Sequence, residues 1–461
     1  MDWAGDPDVT RALVWGLAVA GASMVRALQR RGVEVIVADD AVTDSKRSLA
    51  SELDVELIDG VADAQVDALV DDVDLVCPAP GVPETHRLVE RAVAAGADLV
   101  TELELAYRWE QERPGGPRPM LAVTGTDGKT TTTLLAAHML REAGHSTVDA
   151  GNTETPLVEA IDDAYDAFVV ECSSFRLAFT PTFRPDAGAW LNLAPDHLNW
   201  HRSLDSYVAA KAQLWANQRS DDTAIGLQRD AAVQRCLGEA PGRRLTYGAR
   251  PGEGSADYHV GDGELRGPDG AFASVDQMWR QLPHDLDNAL AAAALVLESG
   301  LATPSHVERA LHTFVGPPHR LEPLGTSGGV RWFNDSKATT PHAANAAISG
   351  FDRIVLIAGG KDKHVDLADM AAEQHRVKAV VALGETRHAV AAAFGRVATV
   401  EVVESLDEAV PLAASLAQPG DTVLLSPGCA SLDQFPSFEA RGDRFRDLAA
   451  SYLTAPTGAS S

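Results

Sequence analysis

Apolar and polar positions follow one recurring order along this chain: a short apolar run, a glycine turn, a stretch with apolar residues at helical spacing, then another apolar run. Residues 12–40, "ALVWGLAVAGASMVRALQRRGVEVIVADD", are the first example and read as a βαβ unit. "VDLVCPAPGVP" reads as a strand entering a Pro-rich loop, and "QERPGGPRP" (111–119) has the Pro and Gly density of a linker. A second segment opens on the strand "MLAVTG" and alternates strands with helices to about residue 315. Its Gly-rich interval, 248–272, reads as turns joining short strands, because "YHV" and "AFASV" punctuate it. The Ala/Leu-rich "HDLDNALAAAALVLESG" then reads as a helix that stops at Gly300. The third segment carries "RIVLIAGG", "AVVALG" and "TVLLSPG", each a strand feeding a helix-like stretch. The pattern predicts three α/β domains, over 1–113, 114–315 and 316–461. No period of 20–50 residues repeats, which excludes a solenoid.

"MLAVTGTDGKTTTT" is the strongest local signal. A phosphate loop of the form G-x-x-x-x-G-K-[ST] would need glycine at Val123, and the nearest glycine is Gly125. An apolar strand, a Gly-containing turn and a helix still follow in the right order. Backbone N–H groups of such a turn and the positive helix end cradle phosphate oxygens. Lys129 would reach the β/γ-phosphates and the Thr130 hydroxyl a Mg²⁺ ion. Glu171 ends the strand of "AFVVECSSF", where a carboxylate lies beside such a loop and can hold a metal; a helix-initiating glutamate is the ordinary alternative. Asp196 and His197 follow another strand in "WLNLAPDHLNWH", and histidine is an unusual ligand for Mg²⁺. Lys211 sits in the helical pattern "SYVAAKAQLW", a place from which lysine ordinarily snorkels to solvent.

Charge and composition narrow the partners. With 39 Lys+Arg against 66 Asp+Glu the formal charge is −27, which disfavours nucleic acid and anionic lipid. Only seven of the basic residues are lysines, and five of them (Lys129, Lys211, Lys337, Lys361, Lys363) fall in motifs where a compact amine has a use; Lys46 and Lys378 read as chance survivors of an Arg-rich composition. The acidic N-terminus lacks signal-peptide order, no apolar run is long enough for a membrane helix, and the four cysteines show no metal or redox spacing. A cytoplasmic protein is expected. Ala18 stands where the middle glycine of G-x-G-x-x-G would be, which argues against nicotinamide binding by the first unit.

"GTDGKTTT", "ECSSF", "DHLNWH" and "YVAAKAQLW", in this order, resemble the central domain of the Mur ligase family, ATP-dependent enzymes that build the peptide stem of peptidoglycan. "PPHRLEPL", "WFNDSKATTPHAANAAI", "IAGGKDKHVDL" and "LLSPGCASLDQFPSFEARGDRF" are similar to the branch of that family that adds D-glutamate to UDP-MurNAc-L-Ala. The resemblance implies a Rossmann-like UDP-binding domain, a P-loop-type ATPase domain and a Rossmann-like C-terminal domain. It implies amide formation through an acyl phosphate, with ATP and two Mg²⁺, by an expected monomer. ATP contacts would come from Gly125, Thr126, Asp127, Gly128, Lys129, Thr130, Thr131, Asn288, Arg320 and Asp335. Thr130, Glu171, His197 and a carbamylated Lys211 would hold the metals, with Lys129, His197 and Lys211 catalytic. The UDP substrate would meet Val19, Ala20, Asp39, Asp40, Asn152, Ser173 and His197. Glutamate would meet Lys337, Thr339, Lys363 (or Lys361), Ser431 and Phe435. Where the family has G-N-x-G, this chain places Glu154 after Asn152. Ligases that extend folates share the ATP loop but generally lack the N-terminal βαβ domain.

Overall fold

The computed structural model describes residues 9–362 and 366–453. Three sheets carry the fold, and the chain divides into two compact units, Met1–Phe314 and Val315–Ser461.

The first sheet is built from β1 (Arg11–Trp15), β2 (Glu34–Asp39), β3 (Leu57–Asp59), β4 (Leu75–Pro78) and β5 (Asp98–Leu99), in the order β3-β2-β1-β4-β5. All pairings are parallel, so both faces need cover and the central strands are apolar except at their ends. Leu13 and Val14 of β1 are fully buried. The helix Val19–Arg30 follows β1 and buries Met24, Val25 and Leu28 against it.

The second sheet has nine strands: β6 (Met120–Thr124), β7 (Thr147–Gly151), β8 (Ala167–Glu171), β9 (Ala187–Trp190), β10 (Thr223–Leu227), β11 (Arg243–Gly248), β12 (Tyr258–Gly261), β13 (Glu264–Gly267) and β14 (Gly270–Ser274). Their order is β14-β13-β12-β11-β10-β9-β6-β8-β7. The Gly-rich interval supplies β12 to β14, whose antiparallel pairings extend the sheet's edge. β7 and β8 lie to one side of β6, and β9 to β11 to the other. Strand order therefore reverses at β6, the position where open α/β sheets form their ligand crevice. The helices Lys129–Glu142 and Pro283–Glu298 cover one face, the latter contributing an unbroken buried run from Ala289 to Val296. Alanine spacing allows that helix to lie close to the sheet.

The second compact unit holds β15 (Glu322–Ser327), β16 (Val330–Asn334), β17 (Ile354–Gly359), β18 (Val377–Leu383), β19 (Thr399–Val402) and β20 (Thr422–Leu425), ordered β15-β16-β20-β17-β18-β19. Among the described strands of this sheet, only the β15–β16 hairpin pairs antiparallel. Among the described residues no helix is long and apolar enough to cross a membrane.

Candidate active site

The C-terminal ends of β6, β8 and β9 form the centre of the site in the first compact unit. Register places Val123 of β6 opposite Glu171 of β8, and Thr124 opposite Trp190 of β9. The turn after β6 reaches the helix Lys129–Glu142 through Gly128, which has φ +86°. A Cβ there would lie 2.6 Å from Asn288 Oδ1. Glycine is required on both counts. Asn288 also accepts from the Thr132 hydroxyl at 3.2 Å, so Gly128, Thr132 and Asn288 form one contact. Thr130 is half-buried and Thr131 buried in the first helical turn, whose N–H groups have no intrahelical acceptor.

Asn192, just past β9, is a residue the sequence reading did not single out. Its Oδ1 accepts from the Thr126 and Asp127 N–H groups at 3.0 and 2.9 Å, and its Nδ2 donates to Asp127 O at 3.1 Å. It fixes the shape of the turn with a side chain that serves as both donor and acceptor.

Both amines of the motif converge on one atom. Lys129 Nζ donates to Gly125 O and Thr126 O, each at 2.8 Å, and Lys211 Nζ donates to the same Gly125 O at 2.8 Å. Lys211 does not snorkel: it is 1% exposed, and its Nζ lies 4.8 Å from the Tyr207 ring centroid. Its helix, Leu204–Ala216, packs that face inward with Tyr207, Leu214 and Trp215. No carboxylate among the described residues forms an ion pair with it. Burial, then the neighbouring Lys129 charge, pushes the Lys211 amine well below the ordinary lysine value. Such an amine is biased to the neutral, nucleophilic form.

Glu171 is 2% exposed. Asn152 Nδ2 donates to its Oε1 at 2.8 Å, while its Oε2 is buried without a hydrogen-bond partner. A buried carboxylate oxygen left unsatisfied is costly, and a hard cation would satisfy it. Among the described residues there is no cluster of three or more His, Cys, Asp or Glu side chains placed for a metal.

His197 has φ +55°, an uncommon conformation outside glycine. Its ring is 4.6 Å from that of Phe175, and its Nε2 is 3.3 Å from Asp196 Oδ2. Burial lowers its basicity, Asp196 opposes this, and the Lys129 and Lys211 charges reinforce it. Ser173, 9% exposed, caps the short helix Ser174–Leu177 by accepting from Arg176 N–H at 3.3 Å. Lys129, Glu171, His197, Lys211, Asn152 and Ser173 therefore all belong to the rim of β6, β8 and β9.

At the first sheet, Val19 is 73% exposed at the start of its helix and Ala20 is buried beneath it. Asp39 accepts from Leu17 and Ala41 N–H at 2.8 Å and from Lys46 Nζ at 2.7 Å. Burial raises this carboxyl, but Lys46 and the two amides outweigh it and hold it below the usual range. Lys46 is thus a specific partner of a buried aspartate, not a survivor by chance. The same holds for Lys378, which donates to the fully buried Asp421 at 2.5 Å. Asp40 accepts from Trp15 Nε1 at 2.7 Å and pairs with His86 and Arg87.

The second compact unit gathers its own set. Asp335, at the end of β16, accepts from Leu321 N–H at 3.1 Å and from the Ser426 hydroxyl at 2.7 Å. Lys337 N–H donates to His319 O at 3.0 Å, and Thr339 N–H to Lys337 O at 2.8 Å. Arg320 lies between His319 and Leu321, both at positive φ. These bonds bring Arg320, Asp335, Lys337 and Thr339 to one place. Phe435 N–H donates to the carbonyl of buried Ser431 at 2.9 Å. Arg441, also missed in the sequence, ties the two loops together. Its guanidinium donates to Ser336 Oγ (3.0 Å) and Ser336 O (2.9 Å), and to Cys429 O (3.1 Å) and Ala430 O (3.3 Å). Burial lowers that guanidinium to about 10. Lys361 pairs with Glu385 at 2.7 Å, and Lys363 lies outside the described residues.

Comparison with known proteins gives three family matches along the chain: a Mur ligase MurD-like N-terminal domain at 10–101, a Mur ligase middle domain at 123–296, and a Mur ligase glutamate ligase domain at 319–429. The chain is 41% identical to the UDP-N-acetylmuramoylalanine--D-glutamate ligase of Frankia casuarinae, covering 96% of this chain and 94% of that protein. It is 37% identical to the enzyme of the same name from Shouchella clausii, covering 95% and 96%. In fold it is similar to a pseudomurein peptide ligase type C from Methanothermus fervidus, with TM-score 0.58, 16% identity, and coverage of 96% and 99%.

Proposed function

From the premise that this chain belongs to the Mur ligase family, we propose that it joins D-glutamate to UDP-N-acetylmuramoyl-L-alanine at the expense of ATP. The observation that carries this is the meeting of Lys129 and Lys211 on Gly125 O, beside the unsatisfied oxygen of Glu171.

A carboxylate attacking a triphosphate brings anion against anion, so positive charge must be in place first. Lys129, with the N–H groups that open its helix, serves the phosphates. The muramoyl-alanine carboxylate takes the terminal phosphoryl group of ATP and ADP leaves; the glutamate amine then attacks the acyl phosphate, forming the amide and releasing phosphate, while bound Mg²⁺ would supply charge neutralisation. Thr130 and Glu171 would hold one ion, and His197 with carbamylated Lys211 the other; the residues fit, since Glu171 has an oxygen to offer and burial favours the uncharged form of the Lys211 amine that adds CO₂. His197 and Ser173 border the place of the reacting carboxylate, with Asn152 steadied by Glu171. Val19, Ala20, Asp39 and Asp40 mark the end of the first sheet where the uridine diphosphate would lie. Asn288, Arg320 and Asp335 are assigned to ATP. Lys337, Thr339, Ser431 and Phe435 are assigned to glutamate, whose two carboxylates need cations and hydroxyl donors. The reaction is assigned to the cytoplasm, where ATP is at hand.

Phosphate release from ATP tests the proposal. Release is expected only when both UDP-N-acetylmuramoyl-L-alanine and D-glutamate are present. Release driven by a folate and L-glutamate, with none from the UDP substrate, would overturn it.

A further inference from the structure

His201 has two partners that belong to different sheets. Its side chain is fully buried. Nε2 is 2.9 Å from the Ser174 hydroxyl, just beyond β8, and Nδ1 is 3.3 Å from Glu84 Oε2, in the loop after β4. The direction of each bond follows from the partners. Glu84 also receives the Arg202 N–H and, at 2.7 Å, the Ser206 hydroxyl, both on Oε1. Burial raises the Glu84 carboxyl, but these donors prevail and hold it ionised. A carboxylate only accepts, so Nδ1 carries the proton; Nε2 of the neutral ring then accepts from Ser174. The ring is fixed among Phe175, at 5.8 Å and nearly parallel, Trp200 at 4.5 Å and Tyr207 at 5.2 Å.

We propose that His201 is a positioning residue: the chain Glu84–His201–Ser174 sets the separation between the loop after β4 and the end of β8, and so the reach required of the nucleotide-sugar substrate. This rests on the reading that the first sheet holds the uridine diphosphate while the far end of the same molecule reacts beside β8. One substrate bound at both places demands a fixed span. Other bonds stitch the β4 loop to residues 200–206: Trp200 Nε1 donates to Pro80 O at 2.9 Å, and Glu84 N–H to Trp200 O at 3.3 Å. His201 continues that seam to Ser174, next to Ser173 and three residues from Glu171. Losing its two bonds leaves the seam closed and loosens its link to β8. Ser174 is 2% exposed, which rules it out as a nucleophile despite its serine–histidine–glutamate partners.

The test is steady-state kinetics of the full-length enzyme carrying His201→Phe, which retains a buried ring but neither bond, and Ser174→Ala, which removes a single hydroxyl. Each is expected to raise KM for the UDP substrate about tenfold, the upper end for one hydrogen bond, with KM for ATP unchanged. Combined, they are expected to do no more than His201→Phe alone, because both cut the same chain. His201→Gln, whose amide can meet Ser174, is expected to recover part of the loss. An unchanged KM for the UDP substrate in Ser174→Ala overturns the proposal, whether or not His201→Phe folds. Equal rises in KM for the UDP substrate and ATP also overturn it, as does simple additivity. Wild-type enzyme inactive on the UDP substrate refutes the proposed function instead.

Discussion

At the scale of single residues, Lys211 is a buried amine without an anionic partner among the described residues, whereas Asp421 is a buried carboxylate with two cationic ones. The Lys211 amine is depressed by burial and by Lys129. A base whose folded value lies below its unfolded one takes up protons more readily when unfolded, so stability rises with pH across that interval, up to about 10.4. Lys211→Met removes this cost and is expected to stabilise the fold at neutral pH by about 1 kcal/mol or more in a denaturant melt, while activity falls by about 10²–10³. A Lys211→Ala variant is expected to regain activity with added short carboxylates, which replace the carbamate oxygens; no regain would count against the carbamate. Asp421 has the same pH slope over a lower interval. Burial raises it, yet Lys378, the Gln418 amide and Arg353 hold it below its usual value. Its contribution is complete above about pH 4 and lost as pH falls through the depressed value. Lys378→Ala should cost about 1.5–3 kcal/mol at pH 7, and the gap from wild type should narrow in acid, as chemical denaturation at both pH values would register.

At the scale of elements, the turn between β6 and its helix is the part most tightly specified. Gly128→Ala must adopt a strained φ and push Asn288 aside, so a loss of about 1–3 kcal/mol and a raised KM for ATP are expected; unfolding and initial-rate measurements check both. The sequence made this turn legible because strand, glycine and lysine follow one another within a few residues. Asn192 was not legible: a lone asparagine after a strand carries no period, and its role appears only once β9 lies beside β6. The burial of Lys211 was not legible from its local pattern for a related reason. Local pattern suggests a solvent-facing lysine, whereas packing of Tyr207 and Trp215 turns that face inward. Strands β15, β16 and β19 escaped notice because their apolar runs are short and partly exposed, unlike the wholly buried β17. Arg441 lies in a helix whose surroundings look solvated, and it is buried only because two distant loops present carbonyls to it.

At the scale of the whole molecule, three mainly parallel sheets supply crevices at strand ends, and their charge surroundings are unfavourable to the proposed substrates. A net charge of −27 repels ATP and a uridine diphosphate alike, while the cations that attract them are few and local. Salt screens the distant field first. The ratio kcat/KM is therefore expected to rise a few-fold between 20 and 200 mM potassium chloride at constant Mg²⁺, by about the factor that long-range steering contributes; a fall in initial-rate assays would place the local contacts in command. The carbonyl of Gly125 adds a further consequence. It already engages both lysine amines, and Asn192 already occupies two loop amides, so the resting turn is chemically sated. Arrival of a triphosphate is then an exchange of partners, in which new bonds replace old ones of similar strength. The heat of nucleotide binding should accordingly be modest, and discrimination will reside in which exchange can be completed.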